Sequence, residues 1–359
     1  MDLRSCLVSI GFVGLCFFGI PIHIDDTNLA DHKLLFQSYV KKYDKHYSQN
    51  SVEYELRFQR FQESLKIIEK LNSQRSGENS AYYGLTHFSD LSPDEFTKHK
   101  LQSTLPKRLL KHQSHKVSAT YHQYHHHKHS HSHNIAKRAV DLPDKVDWRG
   151  KGAVTGVNNQ KTCGACWAFS SVQTIESMNF LKTGVLEKLS VQEVIDCARN
   201  GNLGCDGGDT CSLLTWLSDN KIKVEPEKSY PLVLQTQVCR LKTFSSGVQI
   251  AKNYTCDYLV GDEDTLLALL AFHGPVAVAV NALSWQYYLG GVIQFHCDGS
   301  PQNLNHAVQI VGYDLTAEIP HYIVRNSWGT AFGDKGYLYL AFGKNMCGLA
   351  TEVTSLDVL

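Results

Sequence analysis

Apolar positions are organised differently in the two halves of the chain. Past residue 255 they form short β-branched runs, Val276–Val280, Ala307–Gly312, Tyr322–Val324 and Tyr337–Leu340, which predict strands. Earlier segments show helical spacing instead. Cys166–Thr183 carries Ala168, Ile175, Met178 and Leu181 and stops at Gly184, a residue suited to ending a helix. Glu53, Arg57, Phe61, Ser64, Ile68 and Asn72 also recur at helical spacing. There Glu53 and Arg57 can pair four residues apart, with Phe61, Leu65 and Ile68 on an adjoining face.

Residues 101–138 carry neither period. They are basic and rich in histidine, with His112, His115, His122, His125, His126, His127, His129, His131 and His133. Such a composition cannot build a core and reads as a linker. Incidental metal binding and a response to pH are further readings of the tract.

The chain has 359 residues and a formal net charge of +0, which gives no sign of a nucleic-acid partner. Arg4 and the apolar run Leu7–Ile20 read as a signal peptide over residues 1–20, because the run is too short for a membrane span. No membrane span is expected once that signal is removed. Eleven cysteines behind such a signal point to an oxidising route. Asn253-Tyr254-Thr255 is a glycosylation sequon.

The chemistry concentrates around Cys166, in Gln160-Lys161-Thr162-Cys163-Gly164-Ala165-Cys166-Trp167. A cysteine at a helix N-terminus is favoured as thiolate by the partial positive charge there. His306, in Asn305-His306-Ala307, can serve as its imidazolium partner. Asn326, in Asn326-Ser327-Trp328-Gly329, can hold one tautomer of His306, and Gln160 can donate to an oxyanion. Other readings exist. Cys163-Gly164-Ala165-Cys166 is also a C-x-x-C, but the second C-x-x-C of a zinc site is missing and the motif lies in a polar loop. His306 beside Ala307–Val311 also fits an ordinary core histidine.

Residues 163–167, with His306 and Asn326 downstream, resemble the papain-like cysteine proteases, and the resemblance covers nearly the whole chain. Glu53 through Asn72 resembles the first propeptide motif of the cathepsin L group, with Ser64 in place of Asn. Gly84–Asp90 resembles the second, with Thr86 in place of Asn. The resemblance implies an α+β, papain-like two-domain fold: a helical domain, a β-barrel-like domain, an active-site cleft between them and a helical N-terminal propeptide. It implies an inhibitory propeptide over 21–141 and a mature peptidase over 142–359, beginning near Leu142-Pro143-Asp144.

Further implications are residue-specific. The resemblance implies the disulfides Cys163–Cys205, Cys197–Cys239 and Cys297–Cys347. Cys211 and Cys256 are left over, with two buried thiols preferred over an extra bridge. Gly207 and Gly208 are expected to line the cleft and Trp328 to shield the His306–Asn326 hydrogen bond. Glu352, five residues after Cys347, is expected at the floor of the pocket for the P2 side chain, with Asp209, Thr210, Ala279, Leu304 and Ala307 as walls. Alternatively Glu352 turns into solvent, since unpaired carboxylates rarely stay buried. Phe332 stands where the family usually has Trp.

The implied activity is a lysosomal or secreted endopeptidase made as a zymogen, with no cofactor and no metal. Its partners would be protein and peptide substrates, its own propeptide and cystatin-type inhibitors. A non-catalytic binding or inhibitory protein on the same fold is the alternative, although such relatives normally lose the nucleophile.

Overall fold

The structure, a computed structural model, describes residues 24–49, 51–102, 142–241 and 246–359. The signal segment and the histidine tract lie outside the described residues. The chain divides into two compact units, Met1–Ser64 and Leu65–Leu359.

The first unit holds helix α1 (Ile24–Lys42) and most of α2 (Val52–Asn72). Aromatic side chains join them: the Phe36 ring lies 5.2 Å from Phe61 and 5.4 Å from Phe58. The helical spacing read from Glu53 onward is the period of α2, with Arg57 Nε 3.7 Å from Glu53. Ser64 is buried, so a small hydroxyl occupies that motif position.

In the second unit the end of α2 is fixed by Asn72, whose amide exchanges hydrogen bonds of 2.8 and 3.0 Å with the Tyr83 backbone. Strand β1 (Tyr82–Tyr83) and helix α3 (Pro93–Lys100) follow. α3 starts at a reciprocal capping box between Ser92 and Glu95. Past residue 141 come β2 (Lys145–Asp147) and the helices α4 (Cys166–Thr183), α5 (Val191–Cys197) and α6 (Thr210–Asp219). α4 is buried on all sides from Cys166 to Met178 and ends at Gly184 with φ 75°. Its core partners include Val194, Ile195, Leu213 and Leu217.

The sheet half follows: β3 (Lys223–Val224), β4 (Val248–Gln249), β5 (Thr255–Asp257), α7 (Glu263–Phe272), β6 (Val276–Val280), β7 (Tyr288–Gly290), β8 (Val292–Ile293), β9 (His306–Asp314), β10 (His321–Arg325), β11 (Tyr337–Ala341) and β12 (Val353–Ser355). The main sheet runs β5-β12-β6-β9-β10-β11-β8, and β2 adds to β9. The four runs read as strands from their β-branched pattern all lie within strands. β9 is buried along its whole length and packs against both α4 and α7.

Four disulfides close the fold: Cys163–Cys205, Cys197–Cys239, Cys297–Cys347 and Cys211–Cys256. The last corrects the expectation of two buried thiols. Cys211 in the first turn of α6 comes to a Cα separation of 5.9 Å from Cys256 on β5, within bridging range. Among the described residues, Cys166 is the one free cysteine.

Candidate active site

Cys166 opens α4 behind Ala165, which supplies no side-chain cap, so first-turn N–H groups are free to face a ligand. The backbone N–H groups of Cys166, Trp167 and Ala307 all act on its thiol. His306 opens β9, and Asn326 follows the last residue of β10. These strands pair antiparallel with Gln309 opposite Arg325, so His306 and Asn326 emerge at the same end of the ladder. There His306 Nε2 lies 2.8 Å from Asn326 Oδ1. That oxygen also accepts the Ser327 N–H at 2.8 Å, so it is an acceptor and His306 Nε2 carries the proton. His306 Nδ1 is then the free nitrogen, and it has no hydrogen-bond partner among the described residues.

The indole of Trp328 lies over the His306 ring, with centroids 4.9 Å apart, and covers the hydrogen bond to Asn326. Phe332 packs edge-on against Trp328 at 4.9 Å, so the smaller ring still supports the indole. Gln160 is fully buried, its carbonyl held by the Ser327 hydroxyl at 2.5 Å and its amide donating to the Cys163 carbonyl at 3.0 Å. One residue before Asn326, the Arg325 guanidinium donates to Gln309 and Thr155, and Thr155 in turn donates to Glu176 on α4. This buried chain joins the element carrying Cys166 to the strands carrying His306 and Asn326.

The end of α3 and the residues just after it cover the site. The Gln102 amide donates to Cys166 Sγ at 2.9 Å and its carbonyl accepts the Gly208 N–H at 3.0 Å. The Gln102 N–H donates to the Asn305 carbonyl at 2.7 Å. The Lys100 carbonyl accepts from the Gln160 amide at 3.3 Å. Phe88 and Phe96 pack on Trp328 at 5.9 and 5.5 Å. Gln102 falls within the stretch 101–138 read as a linker; Leu101 and Gln102 are instead buried, because they continue the chain from α3 across the site.

The sequence led to an expected thiolate and imidazolium. In the closed form, burial instead pushes the Cys166 thiol up and His306 down to about 4. Both shifts run toward the neutral forms, and the Gln102 hydrogen bond opposes the one on Cys166.

The residues expected at the P2 pocket are brought together. Thr210 donates to Glu352 Oε1 at 3.0 Å, and the Ala279 N–H donates to the Glu352 carbonyl at 3.1 Å. Ala279 lies opposite Ala307 in the β6–β9 ladder, and Leu304 is buried close to Gly348. Glu352 is 5 % exposed, so its carboxylate does not turn into solvent. Burial, and then the neighbouring Asp209 carboxylate, hold it well above its ordinary pKa. Gly208 is required by a close approach, because a Cβ there would lie 2.5 Å from the Trp167 ring. Asn253 is exposed, and its amide donates to Asp357.

The papain family cysteine protease model matches residues 142–356 and the cathepsin propeptide inhibitor domain model matches residues 36–96. The chain belongs to the papain family of cysteine proteases. It is a papain-like cysteine peptidase with its inhibitory propeptide attached. Human cathepsin O is 41 % identical over 299 residues, covering 83 % of this chain and 87 % of the relative. Mouse cathepsin O is 38 % identical over 82 % of this protease and 88 % of the relative. Among solved structures, procathepsin L2 from the larval midgut of Tenebrio molitor aligns with a TM-score of 0.76 at 29 % identity. It covers 91 % of this protease and 99 % of that chain. Among the described residues no helix is long and apolar enough to cross a membrane.

Proposed function

We propose that this peptidase is an endopeptidase whose reaction is carried by Cys166, His306, Asn326 and Gln160. Cys166 attacks the scissile carbonyl as a thiolate. His306 protonates the leaving amine and then activates water to release the acyl-enzyme. Asn326 keeps the imidazole oriented under Trp328. Gln160 and the Cys166 N–H stabilise the oxyanion, where one donor is typically worth about 2.7–4 kcal/mol of barrier. The observation that supports this reading is the propeptide lying on these groups: the Gln160 amide donates to the Lys100 carbonyl at 3.3 Å, and two residues on Gln102 donates to the Cys166 thiol at 2.9 Å. Cys166→Ala in the matured enzyme tests it, and retained peptidase turnover would assign the nucleophile elsewhere.

On the same reading residues 1–20 are a signal, 21–141 the propeptide and 142–359 the mature enzyme. Asn253 is glycosylated on the way to a lysosomal or extracellular destination, and cystatin-type inhibitors compete for the cleft. Gly207, Gly208, Asp209, Thr210, Ala279, Leu304, Ala307 and Trp328 contact substrate, with Glu352 at the floor of the P2 pocket. Supporting this are the small side chains of Ala279 and Ala307, which leave room for Leu or Phe, and the buried carboxyl of Glu352, which can accept Arg when ionised. Processing sites and their pH dependence are read by N-terminal sequencing of enzyme matured with the natural tract or with His122–His133 replaced by Gln and Ser.

A further inference from the structure

The Cys211–Cys256 bridge lies outside the three pairs implied by the family resemblance, and its position is distinctive. It joins α6, part of the helical core, to β5 at the edge of the main sheet. A second tie lies beside the bridge. Thr215, one helical turn beyond Cys211, accepts the Tyr254 hydroxyl at 3.0 Å, and Tyr254 lies two residues before Cys256. The bridge also completes a closed ring. From Glu352 the chain runs two residues to Thr354, which pairs with Cys256 across the β5–β12 ladder. From Cys256 the bridge leads to Cys211, and the next residue back is Thr210, whose hydroxyl returns to Glu352 at 3.0 Å.

We propose that the Cys211–Cys256 bridge is a specificity-determining crosslink: it clamps the first turn of α6 onto β5, the partner of the strand that Glu352 leads into, and so limits how readily the pocket takes a basic P2 side chain. The proposal rests on the reading of Glu352 as the pocket floor. Asp209, which caps α6, is the ionisable group facing Glu352. β6 contributes only Val and Ala, β12 only Val, Thr and Ser, and Asp257 of β5 lies opposite Val353. While the clamp holds, Glu352 is dry and beside Asp209, the two conditions that favour its neutral form. Without the bridge, the end of α6 separates from the sheet, water reaches the carboxyl, and it ionises at lower pH.

The test measures kcat/KM for P2-Arg and P2-Leu fluorogenic peptides from pH 4 to 8 on enzyme matured from the full chain. Cys211→Ser/Cys256→Ser should leave the P2-Leu value unchanged. It should move the midpoint of the Arg/Leu ratio down by about one pH unit, a roughly tenfold higher ratio below the natural midpoint. An unchanged midpoint overturns the proposal. Glu352→Gln separates the two readings. If it leaves the ratio and its pH dependence as they were, the pocket assignment fails and the proposal with it. If it abolishes the dependence while the bridge variant keeps the natural midpoint, only the proposal fails. Where the Ser pair does not mature, the Ala pair replaces it without introducing hydroxyls. Tyr254→Phe keeps the bridge and loses only the second tie, so it must retain the natural midpoint. A shift as large as that expected on loss of the bridge would show that docking rather than the crosslink holds the floor, and would overturn the proposal.

Discussion

Gln102 is the point at which the propeptide meets the chemistry, so Gln102→Ala in the zymogen perturbs the closed state most directly. Two hydrogen bonds are lost, the one to Cys166 Sγ at 2.9 Å and the one from the Gly208 N–H at 3.0 Å. Each contributes about 0.5–1.5 kcal/mol net, so the closed form should weaken by about 1–3 kcal/mol. That corresponds to a ~5–150-fold larger open population. The substitution leaves the Gln102 backbone bond to Asn305 in place, so the segment still finds the site. The assay is the second-order rate of Cys166 alkylation in intact zymogen at fixed pH, referred to the matured enzyme. When opening is fast relative to alkylation, the rate tracks the open population. The zymogen rate should rise by that factor while the mature rate stays the same. A rate within twofold of the natural zymogen would refute the reasoning, placing the energy of closure elsewhere, for example in the Phe88 and Phe96 contacts on Trp328.

Three further outcomes follow from the same geometry. Closure should change little with pH near neutrality: burial favours a protonated Cys166 and a deprotonated His306 in the closed form, and the thiolate–imidazolium pair of the open form holds the same number of protons. Zymogen alkylation, corrected for intrinsic thiol reactivity, should therefore stay within about twofold over the neutral range, and a rise of about tenfold per pH unit would contradict it. Asn326→Ala should lower kcat less than Cys166→Ala does, with both proteins showing unchanged far-ultraviolet circular dichroism. Gly208→Ala, which drives a Cβ to 2.5 Å from the Trp167 ring, should cost about 1–3 kcal/mol in thermal unfolding.

Much of this was legible in the sequence, for identifiable reasons. The α4 helix could be read because its apolar residues and Gly184 obey local rules, and the strands of the sheet because β-branched runs are local too. The set Gln160, Cys166, His306 and Asn326 was legible because the residue types in that order match one chemistry and one family, and runs such as Tyr322–Trp328 resemble cathepsin O. What was not legible depends on tertiary contact. The Cys211–Cys256 bridge requires α6 to lie along β5, which no spacing announces. Gln102 reaches the thiol only because the segment after α3 crosses the site. The shifts of Cys166 and His306 toward their neutral forms reflect burial, which is a property of the assembled fold.

The central claim is that Cys166 is the nucleophile of a peptidase held closed by its own propeptide. The most direct measurement is labelling with an epoxysuccinyl inhibitor before and after acid maturation, with the adduct located by peptide mass mapping and peptidase activity followed in parallel. The account predicts a slow reaction in the zymogen. After maturation it predicts a single adduct on Cys166 and loss of activity in step with labelling. Activity that survives complete modification of Cys166 would contradict it.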